Sequence, residues 1–305
     1  MSILSKEYFH NEEAAIKHLE SIIWADGVVC PKCGGVDKYY ELKGKKCRAG
    51  LKKCGHCRKQ FTVKVGTVFE SSHIPVHKWL QAVYLMASSK KGFSAHQLHR
   101  TLEVTYKTAW FMAHRIREAM RELHIEPMGG EGKAVEVDET YVGGLEKNKH
   151  ASKRLNSGRG AVGKEAVLSL VERGGKVRSQ HVQSVTASNL KPILQEQIAS
   201  DTRLMTDEAR QYIPIGKEFA EHSSVSHSIG EYVRGDIHTN TIEGFFSIFK
   251  RGMKGIYQHC KSTHLKRYLC EYDFRYNNRK IEDSERAIIA LSGIKGKRLT
   301  YKSPN

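Results

Sequence analysis

Four cysteines near the amino terminus occur as two pairs with the spacing of metal-binding turns. Cys30 and Cys33 form the first C-x2-C pair, Cys54 and Cys57 form the second, and 20 residues separate the pairs. Each pair can sit on a tight turn with both thiolates pointing inward, so two turns make a tetrahedral cage for Zn²⁺. Because all four positions are thiolates, the sequence predicts a closed structural zinc site in a small β module.

Cysteine usage and charge indicate the environment of the chain. The sequence has seven cysteines, an odd number that favours metal binding over disulfides, with Cys47 and His56 as spare ligands beside the pairs. Lys plus Arg number 50 against 33 acidic residues, a net charge of +17. A chain this basic is expected to bind nucleic acid. The sequence also lacks a signal peptide and the ~20-residue apolar run of a membrane span, so we expect a reducing, DNA-containing compartment.

Changes of pattern along the chain predict a multidomain α+β protein. We expect an N-terminal helix and zinc ribbon in residues 1–70 and a helix-turn-helix region in residues 71–128. An α/β domain should occupy residues 129–285, followed by a C-terminal tail over residues 286–305. The Gly-rich stretch that precedes residue 134 is the boundary where helical spacing gives way to β-branched alternation.

The helix-turn-helix region is predicted from two short helical patterns. Phe93–Leu102 forms the first, Glu103 and Val104 supply the turn, and Thr105 opens a second helix with hydroxyl, aromatic and basic residues. Such a helix start suits entry into a DNA groove, although an ordinary helical hairpin has the same pattern. Basic side chains would give affinity through phosphate contacts without reading the sequence. The candidates are Lys90, Lys91, Arg100, Lys107 and Arg115.

The second half of the chain alternates strands and helices in a recognisable order. Ala134–Val142 is a strand, and Ala166–Glu172 and Val177–Val185 flank a Gly-Gly turn, which predicts a hairpin. Ser188–Ser200 is a helix with a serine N-cap, and Thr202–Thr206 is a short apolar run. Three strands, a helix and a fourth strand are the order of a ribonuclease H-like fold, so we expect a ribonuclease H-like α/β domain.

Two carboxylates lie on strands of this predicted sheet. Asp138 is in the β-branched run of the first strand, and Asp207 ends the run of the fourth. A carboxylate in such a run is costly to bury unless it binds something. In the ribonuclease H-like order the first and fourth strands are neighbours, so the two side chains should meet.

A third group comes from the helical segment 239–252. Thr239 can cap its start, and the apolar positions of the segment should face the core. The opposite face carries residues spaced by three and four, which therefore lie in one row. These are Asn240, Glu243, Ser247 and Lys250. A solvated helix face has the same composition, but beside two strand acids the row is a candidate wall of an active site.

The acidic residues resemble a known pattern. Asp207 and Glu243 are separated by 35 residues, and Lys250 follows Glu243 by seven. This D…D-x35-E arrangement resembles the DDE transposases and retroviral integrases. From about residue 10 to about residue 280 the chain resembles bacterial insertion-sequence transposases with an N-terminal zinc ribbon, the group related to Merlin elements. The motifs that carry the resemblance are VEVDETYVGG, the KNKHASKRL-to-VGK loop, TDEARQY and HTNTIEGFFSIFKRG.

The resemblance implies DNA cleavage at the ends of an element and joining of the ends to target DNA. Asp138, Asp207 and Glu243 would hold two Mg²⁺ or Mn²⁺ ions ~3.5–4 Å apart, which suits in-line phosphoryl displacement. Members of this group use either Glu or Asn as the third residue. Carboxylate is the better ligand for a hard cation and the spacing favours Glu243, with Asn240 as a helper. Lys250 would contact DNA phosphate.

Partners and alternatives follow from the same resemblance. The partners would be the terminal inverted repeats and target DNA, bound by a homodimer or larger assembly, in the bacterial cytoplasm at the nucleoid. Residues 143–164 form a basic loop, either a solvated loop or a phosphate contact. Further DNA contacts are expected from Lys149, Lys153, Arg154 and Arg251. The alternatives are an inactive or domesticated DNA-binding regulator and a nuclease or resolvase of the same fold.

Overall fold

The computed structural model describes residues 2–44, 47–123, 126–144, 146–155 and 161–300. Its contacts divide the chain into two compact units. Residues Met1–Arg121 and Lys280–Asn305 form the first, and Glu122–Arg279 form the second. Within the described ranges, no helix is both long enough and apolar enough to cross a bilayer.

The first unit begins with a helix and a small sheet. Helix α1, Glu12–Ile23, starts where the Asn11 side chain accepts a hydrogen bond from the amide of Ala14 at 3.0 Å. Three short strands follow and pair in the order β1-β2-β3, all antiparallel. They are Tyr39–Glu41, Lys52–Cys54 and Gln60–Phe61. The predicted N-terminal helix and turn-rich β module are therefore confirmed.

Three helices complete the N-terminal part of this unit. They are α2, Val76–Ser88, α3, Ala95–Leu102, and α4, Tyr106–Ala119. A capping box between Ser94 and Gln97 starts α3, and the Thr105 hydroxyl accepts from the Thr108 amide to start α4. The predicted pair of short helices is confirmed. Most of α4 is buried, so its first turn is the part that solvent reaches.

The second unit is built on a five-stranded mixed sheet. The strands are β4, Ala134–Val142, β5, Glu165–Glu172, β6, Val177–Val182, β7, Arg203–Asp207, and β8, Glu221–Val225. Their order is β6-β5-β4-β7-β8, with β4, β5 and β6 antiparallel and β7 parallel to both β4 and β8. This is the ribonuclease H-like order, and it confirms that the first and fourth long strands are neighbours.

Short helices cover one face of this sheet. Helix α5, Ala187–Gln197, links β6 to β7, and α6, Tyr212–Gly216, links β7 to β8. Inward residues of both helices pack on alternate positions of β4, including Val135 and Val137. The predicted serine N-cap of α5 is wrong. Thr186 occupies the N-cap position, and its hydroxyl contacts the Ser188 hydroxyl at 3.1 Å instead of capping a backbone amide.

Two helices cover the other face of the sheet. A two-stranded ribbon, β9, Val233–Arg234, and β10, Ile237–His238, leads into α7, Asn240–Gly252, and α8, Ser262–Asn277, follows. The apolar row of α7 packs against this face together with residues of α8. It consists of Ile242, Phe245, Phe246 and Phe249. The polar row of α7 is exposed, as its spacing predicted.

The chain then returns to the first unit. Helix α9, Asp283–Ser292, lies against α2, where the Arg286 guanidinium donates to the Ala87 carbonyl at 3.0 Å. The domain boundary placed at residue 285 therefore cuts through α9. Apolar residues on α9, such as Ala287 and Leu291, are buried in this unit, and that packing holds the segment expected to be a tail.

Helix α8 protects one of the two edge strands of the sheet. Strand β6 is that edge, and its free amides could pair with another chain. The Asp273 carboxylate accepts from the Ser179 amide at 2.8 Å, and the Asn277 side chain bonds both the amide and the carbonyl of Val177. Side chains of α8 thus take the place of a sixth strand.

The buried Asp273 carboxyl makes stability depend on pH. Burial raises the pKa of Asp273 to about 8. Between about pH 4 and about pH 8 the folded chain holds a proton on Asp273 that the unfolded chain has lost. The contribution of this carboxyl to the free energy of unfolding is therefore fully present below about pH 4 and is lost as pH rises through about 8. Between about pH 5 and about pH 9, we expect the free energy of unfolding to fall by at least ~1 kcal/mol less in Asp273→Asn than in the wild type.

Urea unfolding of wild type and Asp273→Asn at both pH values measures this difference. Exposed Asp26 offers a control, because Asp26→Asn makes the same chemical change away from the sheet edge. An Asp273→Asn protein with the pH dependence of the wild type would contradict the expected titration.

Candidate functional site

The four predicted zinc ligands come together in the first unit. Sγ of Cys30 lies 3.7 Å from Sγ of Cys57, and Sγ of Cys33 lies 3.7 Å from Sγ of Cys54. All four sulfurs lie within 4.8 Å of one another. A tetrahedron of thiolates about 2.3 Å from a zinc ion has edges of about 3.8 Å, so the spacing fits Zn²⁺.

The backbone around the cysteines prepares them as ligands. In the first turn the Gly34 amide donates to the Cys30 carbonyl at 2.9 Å, with Gly34 at φ +72°, a conformation that favours glycine. In the second turn the backbone amides of Cys57 and His56 lower the pKa of Cys54 to about 6, which favours the thiolate there. In the first turn, by contrast, hydrogen bonds with the neighbouring thiols and burial raise the pKa of Cys33 to about 11 against the Gly35 amide. The cluster is a structural zinc site of the predicted kind.

The two strand acids lie beside each other in the second unit. Strands β4 and β7 pair in parallel with Glu136 opposite Met205, and continuing this register brings Asp138 opposite Asp207. The Asp138 carboxylate accepts from the Glu139 amide at 2.7 Å, and the Asp207 carboxylate accepts from the Ala209 amide at 3.0 Å. Adjacent parallel strands therefore present both carboxylates at one edge.

The third acid is held on the first turn of α7. Glu243 accepts a hydrogen bond from the Thr239 hydroxyl at 3.1 Å, and the imidazole Nε2 of His227 lies 3.5 Å from the same carboxylate oxygen. Thr239 does occupy the predicted N-cap position, but its hydroxyl bonds this side chain instead of a backbone amide. Asn240, one turn earlier on the same row, is exposed.

The neighbouring acids affect Asp138. Burial, together with the neighbouring carboxylates of Glu139, Asp207 and Glu243, raises the pKa of Asp138 to about 7. Their ligand oxygens do not all lie within 4.8 Å of one another, as the four thiols do. Among the described residues, these carboxylates are therefore grouped less closely than the four thiols.

Comparison with known proteins gives the family. A model of the ISXO2-like transposase domain matches residues 129–277, and a model of the transposase zinc-ribbon domain matches residues 10–60. An uncharacterized protein in transposable element ISH50 of Halobacterium salinarum is 32% identical over 253 residues, covering 80% of this chain and 83% of the relative. The chain belongs to the ISXO2-like transposases.

Two solved structures show weaker similarity to this transposase. One is a simian T-cell lymphotropic virus intasome in complex with the PP2A regulatory subunit B56 gamma, at 15% identity, 65% and 67% coverage of the two chains and a TM-score of 0.26. The other is the mariner Mos1 paired end complex with Mg, at 13% identity, 72% and 79% coverage and a TM-score of 0.25. The fold assignment rests on the strand order of the sheet.

Further polar residues surround the three acids of this transposase and were not predicted from the sequence. Glu139 lies beside Asp207, where burial raises its pKa, and it accepts from the Tyr212 hydroxyl at 2.5 Å and from the Gln211 amide at 3.0 Å. His227 contacts Glu243 from the loop after β8. The signal for Tyr212 was present in the TDEARQY motif, whereas nothing in the spacing of His227 pointed to the site.

Most of the predicted DNA-contacting side chains are exposed. Those on the surface of their own unit are Lys90, Lys91, Arg100, Lys107, Lys153, Arg154, Lys250 and Arg251. Three of the predicted basic residues also bond within the second unit. Lys149 pairs with Glu146, Arg154 donates to the carbonyls of Lys149 and Lys147, and Arg251 donates to Ser247. The loop that carries Lys149 and Arg154 therefore has internal order in its described part, residues 146–155.

Arg115 is a correction to the predicted phosphate contacts. It is buried on α4, its guanidinium stacks on the Phe111 ring 4.6 Å away, and it donates to the Glu70 carbonyl at 3.0 Å. Burial also lowers its pKa. The helical spacing that suggested an outward arginine was misleading because α4 is covered on almost all sides.

Proposed function

We propose that this transposase binds the ends of its element and catalyses Mg²⁺-dependent cleavage and strand transfer of DNA at Asp138, Asp207 and Glu243. One observation carries the proposal most strongly. Burial and neighbouring acids raise the pKa of Asp138 to about 7, and a perturbed carboxylate with two further acids beside it, one from a strand and one from a helix, is typical of catalytic sites.

The donor set fits a hard divalent cation. Asp138, Asp207 and Glu243 offer carboxylate oxygens, the ligands that Mg²⁺ and Mn²⁺ prefer, and they leave positions for water and phosphate oxygens. Bound Mg²⁺ would supply stabilisation of the attacking and leaving oxygens of an in-line displacement. The half-buried position of Asp138 keeps bulk water away, which strengthens every electrostatic interaction there.

Basic side chains would guide DNA to these acids. Lys250 lies on the polar row of α7 two turns after Glu243 and is exposed, with its ammonium 5.9 Å from the Phe246 ring. We assign it a phosphate contact near the acids. The exposed lysines and Arg100 around α3 and α4 would hold the terminal inverted repeats, and a homodimer or larger assembly at the nucleoid would pair two ends and capture target DNA.

The third acid is assigned to Glu243, with Asn240 as a helper. Both side chains are exposed, but the Thr239 hydroxyl bonds the Glu243 carboxylate and the His227 imidazole lies 3.5 Å from it. A side chain that is held in place loses less freedom when it binds a cation. Glu243→Ala should therefore reduce cleavage by at least about 10²-fold, while Asn240→Ala should reduce it less than about tenfold.

The experiment is cleavage of a supercoiled plasmid that carries the element's own ends, in Mg²⁺ or in EDTA. Wild type, Glu243→Ala and Asn240→Ala are compared, with strand transfer followed in the same reaction. Mg²⁺-dependent cuts at the ends that Glu243→Ala loses would support the assignment. Loss of cleavage in Asn240→Ala alone would assign the third metal ligand to Asn240 instead of Glu243. Cutting without joining would indicate a nuclease or resolvase, and end binding without cutting would indicate a regulator.

A further inference from the structure

A second acid on β4, Glu136, is completely buried and accepts hydrogen bonds from α7. Glu136 lies two residues before Asp138, so both side chains point to the same face of the sheet. One Glu136 oxygen accepts from the Ile242 backbone amide at 2.9 Å, and the other accepts from the Thr241 hydroxyl at 2.8 Å. Both donors belong to the first turn of α7, whose amides have no partner inside the helix.

The charge of Glu136 is matched by an arginine from the turn between β5 and β6. The Arg173 guanidinium donates to Glu136 at 2.7 Å and also to the backbone carbonyls of Asp236 and His238, at 2.6 Å and 2.8 Å. His238 completes the group with its Nδ1 3.3 Å from Glu136. The same residues therefore fasten both the β9–β10 ribbon and the helix that it leads into.

A second arginine fastens the ribbon from the neighbouring strand. Arg203, the first residue of β7, donates to the Asp236 carboxylate at 2.8 Å while it pairs with Glu221 of β8. Asp236 is thus bound through its carbonyl by Arg173 and through its carboxylate by Arg203. The start of α7 is held to β4 and β7, the two strands that carry the other acids.

We propose that Glu136 and Arg173 are positioning residues that fix the distance between the third acid and the strand acids. A buried carboxylate without a partner is costly. Attaching a helix through a buried ion pair therefore requires more desolvation free energy than attaching it through apolar contacts. Unlike apolar packing, the Glu136–Arg173 pair also positions the helix in a defined geometry. Hydrogen bonds from the amide of Ile242 and the hydroxyl of Thr241 set the axial position and rotation of α7 one residue before Glu243. The proposal rests on the proposed function only in taking Glu243 as a metal ligand.

The test uses the full chain without DNA and has two readouts. Calorimetry measures the affinity for Mn²⁺, and hydrogen–deuterium exchange measures the opening of the first turns of α7. Glu136→Ala should weaken Mn²⁺ binding about 10- to 100-fold, the usual effect of losing a residue that orients a ligand. Amide exchange over residues 240–246 should rise on the order of tenfold or more, because Ile242 loses its acceptor.

A matched control separates positioning from general stability. Glu271 is also completely buried; it pairs with buried Arg275 of the same helix α8 and accepts from the Tyr257 hydroxyl after α7, and neither partner lies in the first turn of α7. Glu271→Ala removes a comparable ion pair and should leave Mn²⁺ affinity within about threefold of the wild type. Glu136→Gln keeps the shape of the side chain but only one acceptor oxygen, for the Ile242 amide or the Thr241 hydroxyl and not for both, so it should recover only part of the loss seen in Glu136→Ala.

A milder variant keeps the test decisive if Glu136→Ala does not fold. Thr241→Val removes one hydrogen bond to Glu136 at nearly constant volume and should weaken Mn²⁺ binding by about threefold to tenfold. Unchanged exchange and unchanged Mn²⁺ affinity in Glu136→Ala, or in Thr241→Val when only that variant folds, would overturn the proposal. Equal loss in Glu271→Ala would do so too. If wild type binds no Mn²⁺, the proposed function fails, and exchange over residues 240–246 still decides the positioning role.

Discussion

Asp138→Asn is expected to abolish Mg²⁺-dependent cleavage of the element's ends, with a loss of at least about 10³-fold, or about 4 kcal/mol of transition-state stabilisation. Asp138 is half-buried, and burial together with the neighbouring negative charge raises its pKa to about 7. An asparagine of the same shape keeps one oxygen but removes the charge that would attract and hold the metal ions. DNA binding should remain close to wild type, because the substitution changes none of the exposed basic side chains.

The measurement is single-turnover cleavage of labelled end DNA, with a binding assay in parallel. Glu208→Gln is the control, since Glu208 follows Asp207 directly, is exposed, and accepts from the Ser228 amide and from the hydroxyls of Ser226 and Ser228. It removes one negative charge near the site without removing a proposed metal ligand, so its cleavage rate should stay within about threefold of wild type. Normal cleavage by Asp138→Asn would remove these acids from the proposed mechanism.

Loss of one zinc ligand is expected to unfold the ribbon. Cys54 is buried in the cluster, and its neighbours form the small core of residues around it. Three two- or three-residue strands bury too little apolar surface to fold alone, and structural zinc sites supply on the order of 10 kcal/mol. Cys54→Ser should therefore lose stoichiometric zinc and expose residues 28–62 to rapid proteolysis, as a chelator should do to the wild type.

Cys47→Ser is the matched control for this experiment. Cys47 is an exposed cysteine of the same module, outside the group of four sulfurs that lie close together. Zinc content is measured by atomic emission, and limited proteolysis follows the ribbon. Zinc loss in Cys47→Ser with retention in Cys54→Ser would show that the ligand set has been assigned wrongly.

Local patterns in the sequence were sufficient for the zinc site, the order of the strands and the row of polar residues on α7. Each depends on short-range geometry. A C-x2-C pair forms one turn, β-branched alternation forms one strand, and steps of three and four residues form one helix face. The exposure of the lysines was also predicted from local patterns. The exposure predicted for Arg115 was wrong, because periodicity within α4 does not reveal that other helices cover it.

Tertiary structure alone decided which residues surround the acids. Glu136 is a strand residue in the sequence, and only the packing of α7 on β4 turns it into the acceptor for Ile242, more than a hundred positions later. His227 reaches Glu243 from the loop after β8, and Tyr212 reaches Glu139 from the start of α6. The sequence by itself determined the zinc ligands and the elements that carry the three predicted acids. The further polar residues around these acids came from contacts between distant segments, which no local spacing encodes.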